Sequence, residues 1–142
     1  MNTDALQLIK KFEGKSLVPY RCPGGYWTVG WGHRMLRHEP FGPLTEGQAI
    51  SLLKQDIDRC QWMLSRMILV PLTQTEEGAL LSFLFNVGAG AFQRSTLRMK
   101  VNRKEHDAAA DEFKRWVWSR GKKLPGLVVR RAEESLRYQR DR

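Results

Sequence analysis

The sequence predicts an α+β protein that is mainly helical, with a small N-terminal β-hairpin lobe packed on a helical bundle. Three features carry that expectation. Residues 17–20 and 26–31 are β-prone and are joined by Arg21-Cys22-Pro23-Gly24-Gly25, a turn-forming run. Two capping-box patterns, Thr45-x-x-Gln48 and Thr73-x-x-Glu76, each open a stretch with apolar residues at helical spacing. The 142 residues and 42% apolar content suit a single core.

Taken in order, Thr3 is the expected cap of a first helix whose apolar face is Leu6, Ile9 and Phe12, with Gly14 as its stop. Glu13 then falls in the last turn. The hairpin follows, and Gly30 and Gly32 in its second half suggest a close backbone approach. The first capping box leads a long helix with Ile50, Leu53, Ile57, Cys60 and Leu64 on one face, ended by Pro71. The second leads a central core helix through Leu80, Leu81, Leu84 and Phe85, stopped at Asn86-Val87-Gly88-Ala89-Gly90. Two shorter amphipathic stretches are expected near residues 96–102 and 107–118. A loop rich in Gly, Lys and Pro and a basic helix from about Leu127 to Tyr138 complete the chain. Strands are expected only in the N-terminal third, and no linker divides domains: residues 1–142 read as one domain, with the hairpin lobe at about 15–35 and the helical lobe at about 45–142.

Composition narrows the function. Only Cys22 and Cys60 are present, too few for a disulfide scaffold. The first 20 residues hold no apolar run of signal-peptide type, and no stretch is long enough for a membrane span. The net charge is +9, and residues 114–142 hold ten Lys or Arg against Glu133, Glu134 and Asp141. Such an end attracts polyanions: nucleic acid, anionic lipid or an acidic bacterial envelope. No zinc-type spacing links His33, His38, His106 and the cysteines, no dinucleotide glycine motif follows a strand, and no Gly-x-Ser-x-Gly is present. No metal or cofactor is expected.

Glu13 is the strongest candidate for acid chemistry. A helix C-terminus and an apolar neighbour such as Phe12 both oppose ionisation of a carboxyl group, the direction a general acid requires. A solvated helix-end charge is the plain alternative. The spacing supplies what position alone does not: Glu13, Cys22 nine residues on, Thr28 six further, then Val29-Gly30-Trp31-Gly32-His33. This segment resembles the active-site stretch of the phage lysozymes, the muramidases of glycoside hydrolase family 24, whose pattern is Glu, eight residues, Asp or Cys, five residues, Thr. Ser82 to Gly88 and Leu124 to Arg131 resemble two further segments of that family, so the likeness spans nearly the whole chain.

The resemblance implies a lysozyme-like fold and an endolysin that cleaves the β-1,4 bonds between N-acetylmuramic acid and N-acetylglucosamine in peptidoglycan. It implies Glu13 as general acid, Cys22 as base or nucleophile, and Thr28 as the group that positions water. Arg21 beside Cys22 is a candidate to stabilise its thiolate. Trp27, His33, Asn86 and Arg130 are the candidate substrate-binding residues, each with a structural alternative. Trp27 can stack on a sugar or build the lobe's core, and His33 can tether the hairpin by a hydrogen bond. Asn86 can meet a saccharide amide or serve as an αL helix stop. Arg130 can pair with Glu13 or join the solvated basic face. Expected partners are peptidoglycan and, through the basic C-terminal region, the anionic envelope. A monomer without nucleic acid or stable membrane insertion is expected, reaching the wall from the host cytoplasm through a holin-type pore. The competing reading is a non-catalytic basic module that binds envelope or nucleic acid by charge.

Overall fold

The computed structural model describes residues Met1–Arg142 and contains seven helices and two small antiparallel sheets. Helix α1 spans Thr3–Glu13, and its cap is Asn2 instead of Thr3. Asn2 Oδ1 accepts from the Ala5 amide at 2.9 Å. Its Nδ2 donates to Gln74 O and to Glu77 Oε1, both at 3.0 Å. An amide donates two hydrogen bonds while accepting a third, where a hydroxyl has a single hydrogen to give.

The first sheet comprises β1 (Ser16–Arg21), β2 (Trp27–Gly30) and β3 (His33–Arg34), in that spatial order. Pairs Tyr20↔Thr28 and Arg21↔Trp27 set the hairpin register, and an irregularity lies between Ser16 and Tyr20. Pro19 is tolerated because β1 is an edge strand. The short third strand pairs His33 with Val29 and adds to the expected hairpin.

Helices α2 (Glu46–Met67) and α3 (Gln74–Val87) both begin with complete capping boxes. Helix α3 is the centre of the body. Ala79, Leu80, Leu81, Phe83 and Leu84 are buried in it, and α1, α2 and α7 (Pro125–Gln139) pack around it. Gly78 is required where α1 crosses α3, since a Cβ there would lie 2.5 Å from Asp4 Cβ. Helices α4 (Ala89–Gln93), α5 (Thr96–Asn102) and α6 (His106–Phe113) close the far end of the core. Phe83 meets Phe92, Phe113 and Trp116 edge-on at centroid distances of 5.3–6.1 Å.

Strands are not confined to the N-terminal third. The stretch expected as helix ending and loop forms a second hairpin, β4 (Trp118–Ser119) and β5 (Lys122–Lys123), so α6 stops at Phe113. Its two-residue turn, Arg120-Gly121, has positive φ at both positions, the geometry a tight hairpin demands. Arg120 Nη2 donates to Pro23 O at 2.8 Å, tying this hairpin to the β1–β2 turn. No helix is long and apolar enough to cross a membrane.

Candidate active site

Glu13 is the last residue of α1, and Gly14 takes φ 61 to turn the chain into β1. Its carboxylate faces the segment between β2 and β3. A Cβ at Gly32 would lie 2.9 Å from Glu13 Oε1, and φ at Gly32 is +74, so both space and backbone require glycine there. On its other side Glu13 Oε2 accepts from Arg130 Nη1 at 2.6 Å. Glu13, Gly32, Arg34, Asp56, Arg59 and Asn86 line a cleft of about 400 Å³ between the sheet lobe and the helical body.

Cys22 follows β1 in the turn, where its amide donates to Tyr26 O at 2.9 Å. The thiol is lowered below its ordinary value chiefly by a hydrogen bond from the Tyr26 backbone, then by the Thr28 hydroxyl. Arg21 does not serve the thiolate as expected. Its guanidinium stacks 5.2 Å from the Trp27 ring, and the cation that contributes is Arg34. Thr28 is buried on β2 and donates to Tyr26 O at 3.1 Å. A hydroxyl has one hydrogen, so ionisation of Cys22 offers Thr28 a stronger acceptor in the sulfur. Tyr20 sits within the fields of both Glu13 and Cys22. Burial and then these two charges raise its phenol.

The other candidates separate. Asn86 lines the cleft, but it lies inside α3, and Gly88 with φ 90 is the helix stop. Its Oδ1 accepts from Arg131 Nη2. Arg130 is 3% exposed, so it belongs to the interior and not to the solvated basic face. Trp27 is partly exposed and stands edge-on to Phe41, with centroids 4.7 Å apart. His33 has both ring nitrogens engaged by protein carboxylates. Nδ1 is 2.8 Å from Asp56 Oδ2 and Nε2 is 2.9 Å from Glu39 Oε1, an arrangement that ties β3 to α2. The Asp56 hydrogen bond raises the imidazole against the opposing effect of burial.

A larger hollow of about 710 Å³ lies between the 35–45 segment and α2, lined by residues such as His33, Phe41 and Leu52. Glu13 lines only the smaller cleft, which is therefore where acid chemistry is available, while Cys22 and Thr28 line neither hollow. Cys60, also near that cleft, is buried, and burial pushes its thiol up to about 11. It makes no disulfide with Cys22. The close approach expected at Gly32 is the one Glu13 makes, whereas Ser82, Asp56 and Glu134 carry no site expectation, although Arg130 and Glu134 stand four apart on one helix face, a spacing that itself signals an ion pair.

A small antiparallel sheet packed on seven helices, with a carboxyl group at a helix end lining the cleft between them, is the arrangement of a lysozyme-like fold. Comparison with known proteins gives the family. The family described as Phage lysozyme matches residues 10–134. An endolysin from Acyrthosiphon pisum secondary endosymbiont phage 1 is 39% identical over 139 residues, covering 94% of each chain. An endolysin from Bacillus phage PZA is 38% identical over 94% of this chain, which spans 52% of that longer protein. Among solved structures, the muramidase domain of SpmX from Asticaccaulis excentricus superposes with a TM-score of 0.85 at 31% identity, covering 95% of this chain and 94% of that one. The chain belongs to the phage lysozyme family, and it is an enzyme of the lysozyme kind.

Proposed function

We propose that this endolysin hydrolyses the β-1,4 bond between N-acetylmuramic acid and N-acetylglucosamine in bacterial peptidoglycan, with residues 1–142 acting as one catalytic domain and as a monomer. The observation that carries the reading is the Glu13 carboxyl group, fixed between Gly32 and Arg130 at the wall of a cleft whose other lobe holds a thiol of lowered pKa. Protonated Glu13 gives its proton to the glycosidic oxygen as the bond to the anomeric carbon breaks. Water adds at that carbon and its proton passes to the Cys22 thiolate, with Thr28 orienting the water. Trp27 and Asn86 offer the sugar an aromatic face and an amide, while His33 and Arg130 hold the walls of the cleft through the bonds described above.

Exposed Lys122 and Lys123 form the part of the basic C-terminal region free to draw the enzyme to the anionic envelope. Arg137 is instead committed to Asp4 at 2.7 Å. Release from the host cytoplasm through a holin-type pore completes the proposal, leading to host lysis.

The test is clearing of chloroform-treated bacteria, together with analysis of the released glycan ends. Wild type should clear the suspension and expose reducing muramic acid ends, and Glu13→Gln should lose 10²–10⁴-fold in rate, the span of a general acid's contribution. Equal clearing by both would replace hydrolysis with charge-driven envelope damage by a non-catalytic basic module. A glycosyl adduct on Cys22 seen by mass spectrometry would recast the thiolate as nucleophile.

A further inference from the structure

Glu134 is fully buried, an unusual position for a carboxylate that is no part of the proposed chemistry. It is held from three directions. Oε2 accepts from Ser82 Oγ at 2.6 Å and from Arg130 Nε at 3.2 Å, and Oε1 accepts from Arg131 Nη1 at 2.6 Å. Each arginine then reaches a residue lining the cleft. Arg130 Nη1 donates to Glu13 and Arg131 Nη2 to Asn86. The remaining donors are used as well, Arg130 Nη2 on Ser82 O at 3.1 Å and Arg131 Nε on Trp116 O at 2.9 Å. No buried side-chain polar atom in the protein lacks a partner.

We infer that Glu134 is a positioning residue for the acid step, fixing both arginines so that the pair presents one net positive charge, instead of two, to Glu13. This rests on the reading of Glu13 as the acid. The charge count explains why the group must be ionised and buried. Arg130 and Arg131 side by side without a counter-charge would hold Glu13 as a carboxylate, which cannot protonate a leaving oxygen. The Glu134 carboxylate, bonded to both guanidiniums, offsets one of the two arginine charges beside Glu13.

The other groups around Glu13 do not duplicate this effect. From the sheet lobe, Tyr20 lies within its field, and Gly32 approaches it without charge. Arg34, Asp56 and Arg59 lie elsewhere around the cleft and are paired or stacked, Asp56 with His33 and Arg59, and Arg34 over the Tyr26 ring at 3.6 Å. On α1, Lys11 bonds Glu133 at 2.5 Å and Lys10 sits over Trp31. From α3, the polar contact to Glu134 is Ser82.

The experiment compares pH–rate profiles on purified peptidoglycan for wild type, Glu134→Gln, Arg131→Gln and the double variant, with Glu13→Gln as the reference for loss of the acid. Glu134→Gln should move the alkaline limb down by about one pH unit, Arg131→Gln should move it up, and the charge-balanced double variant should bring it back. A structural role alone would lower stability in all three and leave the limb in place. If Glu134→Gln does not fold, Arg131→Gln and the double variant carry the same test, and superimposable profiles among the folded proteins overturn the inference. An active Glu13→Gln overturns the underlying assignment of the acid, which is a separate failure.

Discussion

The surroundings of Glu13 and of Cys22 are built on opposite plans. Glu13 is held by residues from two other helices, Arg130 and Glu134 on α7 and Ser82 on α3, so that positions more than a hundred residues apart fix one carboxylate. Cys22 is held by neighbours within six residues of it in the sequence, the Tyr26 backbone and the Thr28 hydroxyl, and its turn is exposed. The acid is therefore coupled to the stability of the whole helical body. The thiol side depends on local turn geometry, which a substitution can change without unfolding the protein.

Breaking the acid side should have the largest effect. Arg130→Met strands Glu13 and takes one of two cations from buried Glu134, and unfolding by denaturant should report a loss of about 3–5 kcal/mol. Cys22→Ser should leave the same unfolding curve within about 0.5 kcal/mol, because the site is near the surface. An equal loss in both would erase the contrast. The thiol side is next. Activity should rise with pH along an acid limb below 9.0, the thiol's ordinary value, because hydrogen bonding favours the thiolate. Cys22→Asp should carry that limb down towards the carboxylate range near 4 while preserving turnover. A limb that stays in place would remove Cys22 from the chemistry.

His33 joins the two regions, and its effect is smaller. Its folded pKa lies above the unfolded 6.5, so the stability it contributes is complete below that pH and is lost as pH rises through the folded value. His33→Gln should therefore cost about 1–3 kcal/mol at pH 5 and distinctly less at pH 9, measured by thermal unfolding across pH. A constant difference would mean the imidazole is not charged in its bond to Asp56. The smallest expected effect lies outside the cleft. Replacing Lys122 and Lys123 with Gln should flatten the salt dependence of cell clearing while leaving hydrolysis of soluble glycan fragments unchanged. An unaltered slope would discard envelope attraction through this hairpin.

Much of this organisation was legible in the sequence because it is local. The two capping boxes, the Gly14 stop and the Pro-Gly-Gly turn each depend on chemistry within a few residues, and each is found where the pattern places it. The departures come from long-range contacts. Asn2 displaced Thr3 as the cap because its amide also reaches Gln74 and Glu77. The β4–β5 hairpin has strands of two residues, too short for a periodic signal. For Arg130 the sequence leaves pairing with Glu13 and a solvated basic face both open, because the partners that bury it lie on α1 and α3. The same limit hid Asp56 as the partner of His33, 23 residues away.

The two cysteines divide the molecule in a way that a bench chemist can use directly. Cys60 is buried with its thiol pushed up to about 11, whereas Cys22 is accessible and biased towards thiolate, the form that alkylating reagents attack. Maleimide or iodoacetamide at neutral pH should therefore attach a single label per folded chain, in the β1–β2 turn. The unaltered protein thus carries its own selective handle, where a fluorophore could report the arrival of a glycan strand.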